Sequence, residues 1–380
     1  MKILKFILIF IAACVVGFGI GAAIAILFTD TTFSEFGSKL TNLKVGEILI
    51  AIGCGMLCVI GSAILLIIAH EAGHLVFGLM TGYKFVSFRI LNFTFIKING
   101  KIKVKRYSIT GTGGQCLLSP PDLSLKEIPV FWYNAGGIIV NLIILVALLP
   151  LMWIVKNPLA SECLFVAIAV DAIMLLLNGI PIKVGGLNND GYNIIQLRKN
   201  LTAKRGMVMQ LRANALIQEG VRPKDMPSEW FSMPENINYK NALETAIPLM
   251  SASRLVDMER WDEAEREFET LYNHKEETIQ VYANEITCEL AFIYLVKGKL
   301  EEARKLLDKP IMKYVEMYSK MMSGKGRLLF AKALYMDNDR EKADKIYRKI
   351  LDKRSEYLLQ GEVESDLAIM KSLLKSVDDH

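Results

Sequence analysis

The sequence predicts a mainly α-helical membrane protein in two parts: a transmembrane domain of about four spans over residues 1–200, with a small β-hairpin at the membrane over about 84–118, then a soluble α-helical repeat domain over 201–380. Three observations predict it. The 380 residues are 52% hydrophobic and 22% charged, with a mean hydropathy of +0.31, too apolar for a disordered or purely water-soluble chain and too charged for one living wholly in lipid. The first half holds four apolar runs of bilayer-spanning length. From Leu201 onward the pattern turns to amphipathic helix with abundant charge and no span.

The first run, Ile3–Phe28, follows Lys2 and Lys5, which resemble the basic start of a signal peptide. Its apolar stretch is too long for a signal core and no cleavage site follows, so it is read as an uncleaved anchor, with Gly17 and Gly21 allowing close helix approach. The other spans are Ile48–Met80, Pro129–Ile154 and Cys163–Ile182. Basic residues mark the sides: Lys2 and Lys5 before the first span; Lys84, Arg89, Lys97, Lys101, Lys103, Lys105, Arg106 and Lys126 after the second; Lys183, Arg198, Lys199, Lys204 and Arg205 after the fourth. The positive-inside rule then puts both termini in the cytoplasm, in what is expected to be a bacterial cell membrane. It also accounts for much of the +5 net charge without a nucleic-acid partner. The linker Thr29–Glu47 and the turn Lys156–Glu162 face outward. The six cysteines, scattered through apolar segments without paired spacing, read as small core residues.

Between Tyr83 and Asp122 the residues Val86, Phe88 and Ile90, then Phe93 and Phe95, then Ile102 and Val104 alternate around Asn99-Gly100, a strong hairpin signal. A small antiparallel sheet is expected there, at or in the membrane interface. In the tail, Trp261-x-x-Ala264-x-x-x-Phe268, Leu300-x-x-Ala303-x-x-x-Leu307 and Arg340-x-x-Ala343-x-x-x-Tyr347 each follow an upstream alanine (Ala252, Ala291, Ala331) at one offset, with Gly298 and Asn338 at the turns. This pattern resembles tetratricopeptide repeats with a somewhat longer period; an ordinary helical bundle is the alternative.

The chemistry concentrates in His70-Glu71-Ala72-Gly73-His74, an H-E-x-x-H motif. Two imidazoles four apart project from one helical face and can share a zinc ion, which leaves the glutamate beside the open coordination position where water binds. Three ionisable groups within five residues of a span are costly unless they serve a function. Zinc in a catalytic site takes three protein ligands. The metzincin continuation is absent, because Phe77 and Met80 stand where it needs glycine and histidine. The acidic candidates are Asp122, Glu127, Glu162, Asp171 and Asp190, of which Asp190 lies near the depth of the two histidines in an irregular, Gly-rich segment.

With these motifs the chain resembles the site-2 protease family of intramembrane zinc metalloproteases over about residues 46–191: the H-E-x-x-H motif, a G-x-x-x-N element (Gly137 to Asn141), and an N-x-x-P segment leading to D-G (Asn178, Pro181, Asp190, Gly191). The resemblance implies His70, His74 and Asp190 as zinc ligands, Glu71 as the catalytic base, and Asn178 as part of the site. It further implies that the hairpin lies in the membrane and that its edge handles substrate. In one respect the chain departs from the family: the stretch from Pro181 to Asp190 is several residues longer, and asparagine replaces leucine before the aspartate.

Asn178 orients the substrate backbone or oxyanion, or else caps the fourth span. Asn141 bridges helices or touches the site. Asp171 tunes the site or pairs with another span. The expected function is a zinc metalloendopeptidase cleaving a membrane-spanning or membrane-associated peptide near the cytoplasmic side. Its expected contacts are that substrate, membrane lipid, and a cytoplasmic peptide or protein partner at the helical tail. An unwound substrate could add as a strand to the Phe85–Val104 hairpin or to the Gly111–Gln115 segment, and a hairpin that merely plugs the site fits equally well. The alternatives are a non-catalytic membrane adaptor and, less in keeping with the single ligand-bearing face, a metal transporter.

Overall fold

The computed structural model describes residues 44–98, 100–107 and 113–378. The expected first span therefore lies outside the described residues. The chain divides into two units, Met1–Gly61 and Ser62–His380. The first enters the description only through Lys44–Gly61, the opening turns of a long helix, α1 (Val45–Met80).

After α1 comes a sheet of β1 (Lys84–Ile90), β2 (Phe93–Ile98), β3 (Lys101–Arg106) and β4 (Gly114–Ser119). The helices α2 (Val130–Leu148), α3 (Leu151–Ile154) and α4 (Pro158–Gly179) follow. Among the described residues, three helices are long and apolar enough to cross a membrane: Ile52–Met80, Val130–Ile154 and Pro158–Gly179. Apolar side chains on them, such as Leu65, Ile143 and Ile173, are exposed, as lipid-facing positions should be.

Two expected boundaries shift. The last span starts at Pro158 rather than Cys163, because Asn157 accepts a hydrogen bond from Ala160 N–H (3.0 Å) and Pro158 is pre-set for the first helical turn. It ends at Gly179, since Ile180 turns extended before Pro181. Within Val130–Ile154, Pro150 separates α2 from the single turn α3.

The expected hairpin is a four-stranded antiparallel sheet in the order β3-β2-β1-β4. Ile98 pairs with Lys101, and Gly100 just before it has the positive φ (76°) that a tight hairpin connection favours. Arg89, grouped in sequence with the exposed cations of the loop, is instead 2% exposed and donates to the carbonyls of Leu91 (2.9 Å) and Gly114 (3.1 Å). Of the described cysteines, Cys116 and Cys288 are core residues, whereas Cys54 is exposed on α1.

A short ribbon, β5 (Lys183–Val184) with β6 (Leu187–Asn188), leads to α5 (Asp190–Lys199) and α6 (Leu201–Glu219). Ala203, Met207 and Val208 of α6 share one apolar cluster with Tyr83, Leu118 and Tyr133, so the core runs without a break across position 200.

The tail continues with α7 (Ala242–Asp257), α8 (Trp261–Asn273), α9 (Gln280–Val296), α10 (Leu300–Leu306), α11 (Lys309–Tyr318), α12 (Ser323–Ala331), α13 (Arg340–Asp352) and α14 (Gln360–Asp378). The alanines at 252, 264, 291, 303, 331 and 343 are all fully buried. Left-handed residues fall at one equivalent place in three helical hairpins: Glu259 (φ 56°), Gly298 (φ 72°) and Asn338 (φ 50°). The first carried no turn signal in the sequence.

Under these hairpins lies a charged layer. Lys325 pairs with Glu285 at 2.7 Å, and Arg327 with Glu289 at 2.5 Å and Asp366 at 3.2 Å. Burial, together with Asp366, Glu285 and Glu289 nearby, pushes the Glu362 carboxyl up to about 8. In the unfolded chain this group loses its proton near its ordinary 4.5. Between those values the folded protein binds the extra proton, so this group's contribution to stability falls as pH rises through the window. Glu362→Gln is expected to raise Tm by about 2–4 °C above pH 8, with the gain shrinking toward pH 4.5, in melts of the detergent-solubilised protein. An equal gain at every pH would contradict this.

Candidate metal centre

His70 and His74 come from one face of α1, and Asp190 is the first residue of α5. The structure brings all three together. His70 Nε2 lies 3.1 Å and His74 Nε2 3.3 Å from Asp190 Oδ2, and the two Nε2 atoms are 3.2 Å apart. Metal–donor bonds of about 2.0–2.1 Å at tetrahedral angles would separate the donors by about 3.3 Å, so this triangle has the size a zinc ion needs.

The outer partners set the protonation of the rings. His74 Nδ1 is 2.7 Å from the carbonyl oxygen of Tyr133, which can only accept, so Nδ1 carries the hydrogen. His70 Nδ1 is 2.6 Å from Asn141 Oδ1. The amide orientation of Asn141 is fixed in turn, because its Nδ2 donates to Asp171 Oδ1. In the neutral rings both Nε2 atoms therefore present lone pairs to a carboxylate oxygen, and only a cation or added protons can satisfy three converging acceptors. The donor set fits a divalent metal.

Glycines make the convergence possible. A Cβ on Gly73 would lie 2.3 Å from the carbonyl oxygen of Gly136, so α1 and α2 cross backbone to backbone. A Cβ on Gly137 would lie 2.5–2.7 Å from three atoms of the His70 ring. The G-x-x-x-N element thus has two jobs one turn apart: Gly137 makes room for the imidazole and Asn141 orients it.

The longer stretch before Asp190 is absorbed locally. Lys183 pairs with Asn188 and Val184 with Leu187 around Gly185 and Gly186, whose φ values of 59° and 84° suit a tight hairpin turn. Asn189 then caps α5 by accepting from Tyr192 N–H (2.9 Å), while its Nδ2 donates to the carbonyls of Leu177 (2.6 Å) and Ile180 (2.5 Å). Asn189 is thus the clamp that ties α5 to the end of α4. Burial raises the carboxyl pKa of Asp190, but the imidazoles beside it outweigh this and hold it well below the usual carboxylate range.

Comparison of the chain with family models, with curated proteins and with solved structures finds no match.

Glu71 is half-buried beside the triad, with the Cys116 N–H directed at its carboxylate and Gly114 of β4 packed against it. A Cβ on Gly114 would come within 2.8 Å of Glu71 Oε1. The outer edge of β4 is occupied by the protein itself: Gly114 C=O accepts from Arg89, and Cys116 C=O accepts from Tyr133 Oη at 2.7 Å. Asn178 is not joined to the triad; its Nδ2 donates to Met174 C=O (2.9 Å), one turn back in its own helix. Of the other histidines, His274 pairs with Glu277 at 2.6 Å in the tail, and His380 lies outside the described residues.

Sequence reasoning missed Arg89, Tyr133 and Asn189. For Tyr133 there was no signal to find, since the site uses its backbone carbonyl and its hydroxyl reaches a strand. Asn189 was visible only as an anomaly.

Gly137→Ala is expected to displace the His70 ring and lower affinity for Zn2+ or Co2+ by about 10–100-fold, as loss of a ligand's orienting partner does. Gly179→Ala, whose Cβ would meet only Ile138 at 3.8 Å, should bind metal as wild type does. Calorimetric titration of the metal-stripped protein compares the two.

Proposed function

We propose that this chain is an intramembrane zinc metalloendopeptidase that cleaves a membrane-spanning or membrane-associated peptide, with both termini and the cleavage site on the cytoplasmic side of a bacterial cell membrane. The observation that carries the reading is the triangle of His70, His74 and Asp190 with Glu71 beside it, at the end of an apolar helix. A purely structural metal has no need of a base beside its ligands. Zinc, when bound, supplies a Lewis acid that polarises a scissile carbonyl and acidifies water.

The protein's own groups do the rest. Glu71 takes the proton of the attacking water and returns it to the leaving amine nitrogen. The Cys116 N–H anchors the Glu71 carboxylate, and Gly114 leaves it space to move between the two positions. His70 and His74 are held against rotation by Asn141 and Tyr133, which keeps both Nε2 atoms aimed at one point. Asp171 acts through Asn141, as a positioning residue and not as a ligand.

A helical substrate hides its carbonyls in its own hydrogen bonds and has to unwind before hydrolysis. With the β4 edge occupied at Gly114 and Cys116, the outer edge of β3, whose side chains are largely exposed, is the strand left to pair with it. The tail hairpins with their buried alanines support a tetratricopeptide-like module that recruits a cytoplasmic peptide or protein.

Glu71→Gln separates the protease from an adaptor. The variant should keep its metal content by elemental analysis while cleavage falls by at least about 10²-fold, so that peptides present in membranes of wild-type cells disappear from those of variant cells. Identical peptide profiles in the two strains would leave only the adaptor.

A further inference from the structure

The described residues contain a second polar site, which the metal chemistry does not use. A cleft of about 760 Å³ opens between the segment 126–131, which leads into α2, and the junction of α5 with α6. Four cations line it: Lys126, Arg198, Lys199 and Lys204. Its one lining carboxylate, Glu127, is turned back on its own loop, where Oε2 accepts from Ser124 Oγ at 2.6 Å. Lys204 is only 7% exposed, and its ammonium donates to a neutral acceptor, the carbonyl of Lys126, at 2.9 Å. Burial pushes its pKa down, and no neighbouring carboxylate among the described residues offsets that cost. A buried cation with a neutral partner, lining one cleft with three other cations, calls for an anion.

The position of the cleft decides which anion. The span Val130–Ile154 begins at its rim, so when that helix crosses a bilayer the four cations stand at the level of the lipid phosphates. Phe131 and Trp132, 40% and 46% exposed, sit at the same level, where aromatic side chains line the interface beside acyl chains. An ion with an apolar tail can satisfy both parts at once, with its phosphate among the ammonium and guanidinium groups and its chains along the exposed face of α2. We propose that this cleft is a binding site for the headgroup phosphate of an anionic phospholipid.

The consequence reaches the metal centre without depending on the protease reading. Helix α5 is ten residues long, about 15 Å, with Asp190 at its start and Arg198 and Lys199 in its last turn. A lipid gripping the far end would restrain the helix that presents the aspartate.

Native mass spectrometry of the full-length protein, supplied with phosphatidylglycerol, with phosphatidylcholine or with glycerol phosphate, tests the site. The expected result is retention of phosphatidylglycerol over phosphatidylcholine by at least about tenfold, weakening as salt is raised, with glycerol phosphate neither retained nor competing at equal concentration. The triple variant Lys126→Gln, Arg198→Gln, Lys199→Gln changes only exposed side chains and should melt as wild type while losing that preference. Equal retention of the two lipids by wild type would overturn the proposal, as would a preference that survives in the folded triple variant. Glycerol phosphate binding as well as phosphatidylglycerol would overturn it in favour of a soluble phosphate compound.

Discussion

Three electron-rich atoms held about 3.2 Å apart in an apolar setting are the constraint on which the membrane half depends. Two imidazole nitrogens and a carboxylate oxygen do not approach one another unless something positive lies between them, and taking them out of water makes the demand stronger. Much of the surrounding architecture serves that encounter. The backbones of α1 and α2 touch at Gly73 and Gly136 so that His70 can reach Asn141, and α5 is clamped by Asn189 so that Asp190 arrives from the other side.

The chain Asp171, Asn141, His70 shows how a buried carboxylate can matter without touching the two histidines and Asp190. An amide can be turned either way, and one orientation would offer His70 a donor in place of an acceptor. Asp171, fully buried in α4, accepts from the nitrogen of that amide and so removes the choice. The cost of a carboxylate at that depth is matched by a fixed tautomer at the ligand.

The sheet and the tail are joined to this centre through strand and helix contacts rather than through a linker. β4 carries the groups against Glu71, Lys105 of β3 donates to the Tyr357 carbonyl, and α6 packs in the same cluster as Tyr83 and Tyr133. On β4 the carbonyls of Gly114 and Cys116 are taken by Arg89 and Tyr133, while β3 forms the opposite edge of the sheet.

Much of this was legible in the residues alone. Local patterns write themselves into a sequence, so the apolar length of the spans, the alternation of the strands, the four-residue spacing of His70 and His74 and the recurring alanines all could be read before any coordinates. Helix ends were less legible, because Asn157 with Pro158 begins a helix inside what read as an outward turn. Tertiary structure alone decided the neighbourhood of Asp190: whether extra residues before it push it away or fold into a ribbon depends on Gly185, Gly186 and the carbonyls that Asn189 finds at the end of α4. It alone showed Arg89 buried, the carbonyls of Gly114 and Cys116 on β4 engaged by Arg89 and Tyr133, and Asn141 standing between Asp171 and His70. The physical reason is common to all of these: spacing along the chain fixes what one helix or strand presents, while the partner of a buried polar group is set by whichever distant backbone or side chain the packing brings within about 3 Å.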